Sequence, residues 1–353
     1  MIYSQTDIIL QPHNSDETIL KNLKFLKPGD NVLTFNLQSK EIELNPILNI
    51  AKKTVTEAVV LNSFGINNFV ITPDTYILSH SNKFILSNSY TKNHFVKVNQ
   101  QLRKFERIYK KDKYELSMDL GFLVGYWLSC SKTNERYVTF KEPIEYKVKK
   151  TINHLNLSIM EKDDSVIIID DYFKSWVTDF FVLDKIKYFA NWVINSCDDF
   201  THGLLYGLIN NSSNIQLFQD KNVSICYLTL FSKKLAYDIV KLLNIRYNIH
   251  SYVITDKNPD NELKFKVSIR ITPTFFDLLN IGRIKGYYEY EEFEKINKFV
   301  TNSSSKNIKK INGHDLEVLD ILRADSTSNE HEMIQVTTES NQPIILANGL
   351  IVQ

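Results

Sequence analysis

Two stretches of the chain share one layout: "GFLVGYWLSCS" at residues 121–131 and "HGLLYGLINNSS" at 202–213. Each has apolar residues at helical spacing around a central glycine, Gly125 or Gly207, and each ends in small polar residues. A glycine there removes the β-carbon and lets a second backbone approach closely. The spacing predicts helices over 119–128 and 199–209, one in each copy of an internal repeat. A duplicated helix of this kind demands two similar halves.

The texture around the two stretches repeats as well. After the first come "RYVTF" and "EYKVK", read as strands, then "DKIKYFANWVIN", read as a helix. After the second come the strands "NIQLFQ" and "SICYLTLF", the helix "KKLAYDIVKLLNI", and the strands "SYVIT" and "KFKVSIRI". The first hundred residues differ. They read as short strands ("TDIIL", "KPGDNVLTF", "EAVVLNSF", "NFVIT", "KFILS") between turns at Pro28-Gly29-Asp30 and Thr72-Pro73-Asp74. The β texture returns after "TNSSSKNIKK", in "EMIQVTTE" and "QPIILANGLIV". The expected organisation is a split all-β shell, 1–100 and 315–353, around a duplicated α+β domain at 101–314.

Net charge is +1 for the whole chain, which alone argues against a nucleic-acid partner. Within 101–314, however, 32 Lys and Arg face 26 Asp and Glu, whereas the remainder holds 10 against 15. A basic middle inside an acidic shell permits contact with phosphates. The apolar runs are far shorter than the roughly 20 residues of a membrane span, and no basic flank precedes an apolar core at the N-terminus. An intracellular location, nuclear or cytoplasmic, is expected. Cys130, Cys197 and Cys226 form no CxxC pair, so free thiols are expected, with neither a disulfide framework nor a zinc site.

With these motifs in this order, the chain resembles inteins that carry a nested dodecapeptide-type LAGLIDADG homing endonuclease, a family with free-standing mating-type switching relatives. "TDIIL" with "LKPGDNVLTFN" is similar to the first splicing block and "NNFVITPDTYILS" to the block usually written TPDHxIL. "IQVTTESNQPIILANGLIVQ" is similar to the terminal block, which usually closes as LANGxxVHN. Phe122 to Ser131 and Leu204 to Ser213 are similar to the two endonuclease helices, usually FLxGLxxGDG and FLxGLxDSDG. The resemblance spans nearly the whole chain. It implies a multidomain fold, a split Hint-type β domain around a pseudo-twofold αββαββα domain, and it implies a monomer because the duplication supplies both half-sites.

In the family, each motif helix delivers one acidic residue to the scissile phosphates, where the pair binds divalent metal and activates water. Those positions here are Cys130 and Ser212, neither a carboxylate. Mg²⁺ prefers oxygen ligands with at least one carboxylate, so no metal ligands are assigned; Mg²⁺ is the ion that any remaining nuclease activity would use. Asp119, Asp198 and Asp199 lie at the other helix ends, roughly 16 Å away at 1.5 Å rise per residue, and are read as opposing the helix dipoles. Ser196 and Asp199 are spaced as a capping box. Asn210 offers only a neutral carbonyl oxygen.

The splicing positions carry similar substitutions. Met1 stands where the family has Cys or Ser, and a thioether undergoes no acyl shift. Ser4 is too close to Thr6 for the family spacing. Thr75 stands in place of the TPDH histidine, with His80 out of register, and Gln335 aligns with the terminal block's Asp. Gln353 either occupies the penultimate His position or replaces the final Asn.

DNA binding does not depend on those acids. In "KFKVSIRI", strand alternation puts Lys264, Lys266, Ser268 and Arg270 on one face and Phe265, Val267, Ile269 and Ile271 on the other. Tyr137, Thr139 and Lys141 alternate similarly after the first motif, as do Gln216, Phe218 and Asp220 after the second. The expectation is a double-stranded-DNA-binding homologue impaired in cleavage and splicing. An active metal-dependent endonuclease and a relic without DNA affinity are the alternatives.

Overall fold

The computed structural model describes residues 1–13, 19–39, 41–63, 66–79, 81, 83–87, 95–98, 107–130, 138–141, 146–162, 165–218, 223–247, 249, 251–257, 263–287, 308–311, 314–319 and 321–353. Within them the chain forms two compact units: Met1–Glu106 with Asn244–Asn248 and Ser305–Gln353, and Arg107–Leu243 with Ile249–Ser304. No described helix is long and apolar enough to cross a membrane. His80, Tyr137 and Asp220 lie outside the described residues, as does the Lys141 side chain.

The first unit is built on a curled antiparallel sheet of thirteen strands drawn from both parts of the sequence. Ile2 pairs with Ile334 and Ile71, Ile344 with Thr34, and Val352 with Ile77, so the C-terminal strands interleave with the N-terminal ones. Ile8, Leu10, Val32, Ile71, Ile77, Ile334, Leu346 and Val352 share one buried cluster. Its longest strand, Ile42–Val55, is absent from the sequence reading. Pro46 interrupts its alternation at the point where the strand changes partner, from Asn31–Phe35 to His331–Thr338. A small separate sheet pairs Phe95–Val98 with the hairpin of Ile308–Ile311 and His314–Leu319. The strand Ile308–Ile311, with the rest of 305–353, is grouped with the first unit, whereas the sequence reading puts the boundary at 314/315.

Among the described residues of the second unit there are six α-helices, counting α5, whose last residues are grouped with the first unit: α1 (Met118–Ser129), α2 (Tyr146–His154), α3 (Asp171–Phe181), α4 (Asp198–Ser212), α5 (Lys233–Tyr247) and α6 (Pro273–Ile284). Local chemistry explains their starts. Ser117 accepts from the Leu120 amide, Asp170 from Phe173, and Thr272 from Phe275 ahead of a proline in the first turn of α6. From α4 onward the order is helix, strands Ser213–Phe218 and Val223–Leu230, helix α5, strands Ser251–Lys257 and Leu263–Arg270, helix α6. In space Leu263–Arg270 lies between Val223–Leu230 and Ser251–Lys257. The first half follows a related plan: α1, strand Val138–Lys141, α2, strands Ile159–Lys162 and Ser165–Ile168, α3.

Three local expectations are corrected. Tyr146 to Lys149 of "EYKVK" lie in helix α2, because Val148, Thr151 and Ile152 make a buried face at three- and four-residue spacing that outweighs the short alternation. "DKIKYFANWVIN" is a hairpin and a 3-10 helix. Asp184 and Lys185 both adopt positive φ, 49° and 69°, and turn Val182–Leu183 back onto Ile186–Lys187, after which Asn191–Asn195 forms a tight helix. The residue before α4 is Cys197, and Ser196 does not cap it; the Ser196 hydroxyl donates to Val193 and hydrogen-bonds Thr201.

Candidate functional site

Helices α1 and α4 are held together by glycines. An ideal β-carbon on Gly121 would lie 2.1 Å from the Phe200 carbonyl oxygen, one on Gly125 2.0 Å from that of Leu204, one on Gly203 2.0 Å from that of Met118, and one on Gly207 2.2 Å from that of Phe122. These contacts form two pairs that interchange when the helices are swapped, with Gly121 answering to Gly203 and Gly125 to Gly207. Residue numbers rise together along both helices, so they run parallel and their C-termini meet. The sequence reading assigned the close approach to Gly125 and Gly207. The signal for Gly121 and Gly203 was present as a four-residue glycine spacing in both stretches.

At the shared end, Asn211 of α4 reaches the last residues of α1. The Asn211 amide donates to Ser129 Oγ at 3.0 Å and to Cys130 Sγ at 3.4 Å, bridging the two helix ends. Ser212 donates its hydroxyl to the Leu208 carbonyl one turn back, at 2.6 Å, and Ser129 donates to Tyr126. Parallel helices present two negative dipole ends here. Lys187, only 7% exposed, offsets the charge: its Nζ donates to the carbonyls of Trp127 and Cys130 at 2.7 Å each and lies 4.4 Å from the Trp127 ring centre. No local signal in the sequence marks Lys187. Only the hairpin, which the sequence suggested was helical, brings it there.

The donors gathered here are a thiol, hydroxyls, an amide and a cation. They do not fit Mg²⁺, which takes oxygen ligands and negative charge, and a buried ammonium opposes a second cation. Among the described residues no group of three or more His, Cys, Asp or Glu side chains is placed to hold a metal ion. At the opposite end Asp119 accepts from Tyr287 at 2.9 Å, with His154 Nδ1 3.2 Å away and Lys147 4.0 Å away. Asp119 therefore ties α1 to its neighbours in addition to facing the positive end of its helix.

Burial pulls the Lys187 ammonium down to about 8, partly offset by Coulombic attraction to the sulfur of Cys130. The native state thus releases this proton near pH 8 while the unfolded chain holds it to about 10.4, so Lys187 makes stability rise with pH between those values. Cys226 works the other way. Burial pushes its thiol up to about 12, so the native state keeps a proton that the unfolded chain loses. Comparison with Lys187→Met isolates the lysine. In denaturant titrations the wild type is expected to gain stability relative to the variant from pH 7 to pH 10, by about 3 kcal/mol at most. Parallel pH profiles would show that Lys187 stays charged throughout.

The outer face of the second-half sheet carries the other candidates. Leu263–Arg270 alternates as expected, with Phe265, Val267 and Ile269 buried, Lys264 and Lys266 half-buried, and Arg270 exposed. Ser268 departs from the expectation. It is 1% exposed, because it lies between Tyr227 and Tyr252 in the cross-strand register and hydrogen-bonds Tyr227. Gln216 is exposed on Ser213–Phe218, and Thr139 is half-buried on Val138–Lys141 in the first half.

In the first unit, Met1, Thr75 and Gln353 converge on one turn. The Met1 ammonium donates to Thr72 Oγ1 at 2.7 Å and to Thr75 Oγ1 at 2.8 Å, while Thr75 donates back to the Met1 carbonyl at 2.9 Å. Tyr76 and Gln353 exchange both backbone hydrogen bonds. Burial lowers the Met1 α-amino group, against the pull of Asp74. Gln335 is exposed on His331–Thr338.

The chain matches no protein-family model and no curated protein.

Proposed function

We propose that this chain is a homologue of intein-borne LAGLIDADG homing endonucleases that binds duplex DNA and neither cuts it nor splices. The observation that carries the reading is the parallel α1–α4 pair, closed by four glycines and ending at Cys130 and Ser212, the two positions the resemblance assigns to acids. The convergence of Met1, Thr75 and Gln353 on one turn supports the splicing half of the resemblance, since these are the substituted splicing positions. Lys264, Lys266 and Arg270 give the sheet face the charge that a phosphate backbone requires. With no carboxylates at the helix ends, binding needs no divalent metal to relieve repulsion.

The test is retention of a randomised duplex library with and without Mg²⁺ or Mn²⁺, scoring binding and cutting together. Sequence-selective retention, unchanged by metal and falling steeply with salt, is expected. Replacing Lys266 with alanine is expected to weaken all retained sequences alike and to lower the salt slope by about 1. Metal-dependent cutting would favour an active endonuclease, and failure to retain any duplex a folded relic without DNA affinity.

A further inference from the structure

The end of α1 brings a thiol and an amine together. Cys130 is half-buried, and the Asn211 amide reaches its sulfur at 3.4 Å. Lys187 is bonded at 2.7 Å to the carbonyl of the same cysteine, and its ammonium is attracted to the sulfur. Two residues 57 positions apart thus meet through the hairpin that ends at Lys187. The other two cysteines are placed differently. Cys197 donates its thiol to the Leu116 carbonyl at the start of α1, and the twelve residues of that helix span roughly 18 Å at 1.5 Å per residue. Cys226 is fully buried in Val223–Leu230, where burial holds its thiol protonated. The amine of Lys187 is therefore the group placed to meet an oxidised Cys130.

That pairing has a defined redox chemistry. A partly exposed cysteine beside a cation is oxidised by peroxide to a sulfenic acid. Sulfur loses two electrons, the O–O bond of hydrogen peroxide breaks, one oxygen stays on sulfur and the other leaves as water. A sulfenic acid with no thiol in reach condenses with nitrogen instead. The neutral amine attacks sulfur, an S–N bond forms, the S–O bond breaks, and hydroxide leaves with an amine proton as water. The amine must first be neutral. Burial lowers Lys187 to about 8, so on the order of a tenth of it is neutral at pH 7, against less than about a thousandth for a solvated lysine.

We propose that Cys130 and Lys187 form a covalent redox switch, in which hydrogen peroxide joins the cysteine sulfur to the lysine nitrogen as a reversible sulfenamide. The inference does not depend on DNA binding. The bond ties the hairpin to the end of α1 and replaces a buried cation with a neutral group, so the carbonyls of Trp127 and Cys130 lose their charged donor at the negative end of the helix. Thiol reductants return the thiol and the amine.

The test is mass spectrometry and peptide mapping of the full chain after graded hydrogen peroxide, before and after dithiothreitol. The expected product is lighter than the reduced chain by two hydrogens, carries the peptides of residues 130 and 187 joined to each other, and returns to the starting mass in dithiothreitol. Cys130→Ser is expected to abolish the link. Lys187→Arg keeps the charge but stays protonated, so it is expected to abolish the link as well and to let dimedone label Cys130 several-fold more than in the wild type. The deciding result comes from the wild-type protein, whether or not a variant folds. If its Cys130 stays a thiol, stops at an unlinked sulfenic acid, runs on to sulfinic acid, or joins a residue other than Lys187, the assignment is wrong.

Discussion

Alanine at Gly125 or at Gly207 is expected to lower the stability of the second unit by about 2–3 kcal/mol, a fall of roughly 5–10 °C in melting temperature. The direction is not obvious from the helix alone. Glycine inside a helix costs about 1 kcal/mol relative to alanine, so both substitutions would stabilise an isolated α1 or α4. What reverses the sign is the partner backbone. A β-carbon at Gly125 meets the Leu204 carbonyl oxygen at 2.0 Å, and one at Gly207 meets that of Phe122 at 2.2 Å. A carbonyl in the partner helix cannot rotate aside as a side chain can, so the helices must separate and loosen the buried packing of Leu123, Leu204, Leu205 and Leu208. Since the two sites share one interface, the double variant is not expected to be additive. Thermal melts monitored by circular dichroism would decide it. Unchanged or raised melting temperatures in both variants would mean that the helices do not approach this closely.

The second large effect concerns cleavage. Wild-type protein is expected to leave its selected duplex intact in Mg²⁺ or Mn²⁺, whereas Cys130→Asp with Ser212→Asp is expected to bind Mn²⁺ and to gain metal-dependent nicking. Metal-assisted stabilisation of a phosphoryl transition state is worth several kcal/mol, so the difference in rate should be about a thousand-fold or more. Two carboxylates at the C-terminal ends of parallel helices face unfavourable dipoles without a metal. Lys187, already bonded to the Cys130 carbonyl, compensates part of that charge. The double variant is accordingly expected to be less stable than wild type in chelator and to recover on adding Mn²⁺. Nicking by the wild type would refute the argument from Cys130 and Ser212. A double variant that neither binds Mn²⁺ nor cuts would refute the assignment of these helix ends to the acid positions.

Much of the candidate site was legible because its signals are local. The apolar spacing around Gly125 and Gly207, the alternation of Lys264 to Arg270 and the non-acidic residues at Cys130 and Ser212 can each be read within a dozen positions. Errors arose where local signals conflicted. Glu145 to Lys149 alternates like a strand, yet the face formed by Val148 and Ile152 decides for a helix from Tyr146 onward once it can be buried. The strand Ile42–Val55 was missed because it contains a proline and exposes Leu44 and Leu48, so no clear two-residue period marks it.

The sequence by itself determined that the chain holds a duplicated helix with close-approach glycines and that its flanks are β-rich. It also determined that neither repeat ends in a carboxylate. Those are facts of residue type and spacing. Only the tertiary structure decided that Lys187 reaches the end of α1 beside Cys130 and that Ser268 is closed off by two tyrosines. Each depends on a turn geometry or a strand register that joins residues tens of positions apart. Such pairings are set by what can be buried and hydrogen-bonded together, which no local period encodes.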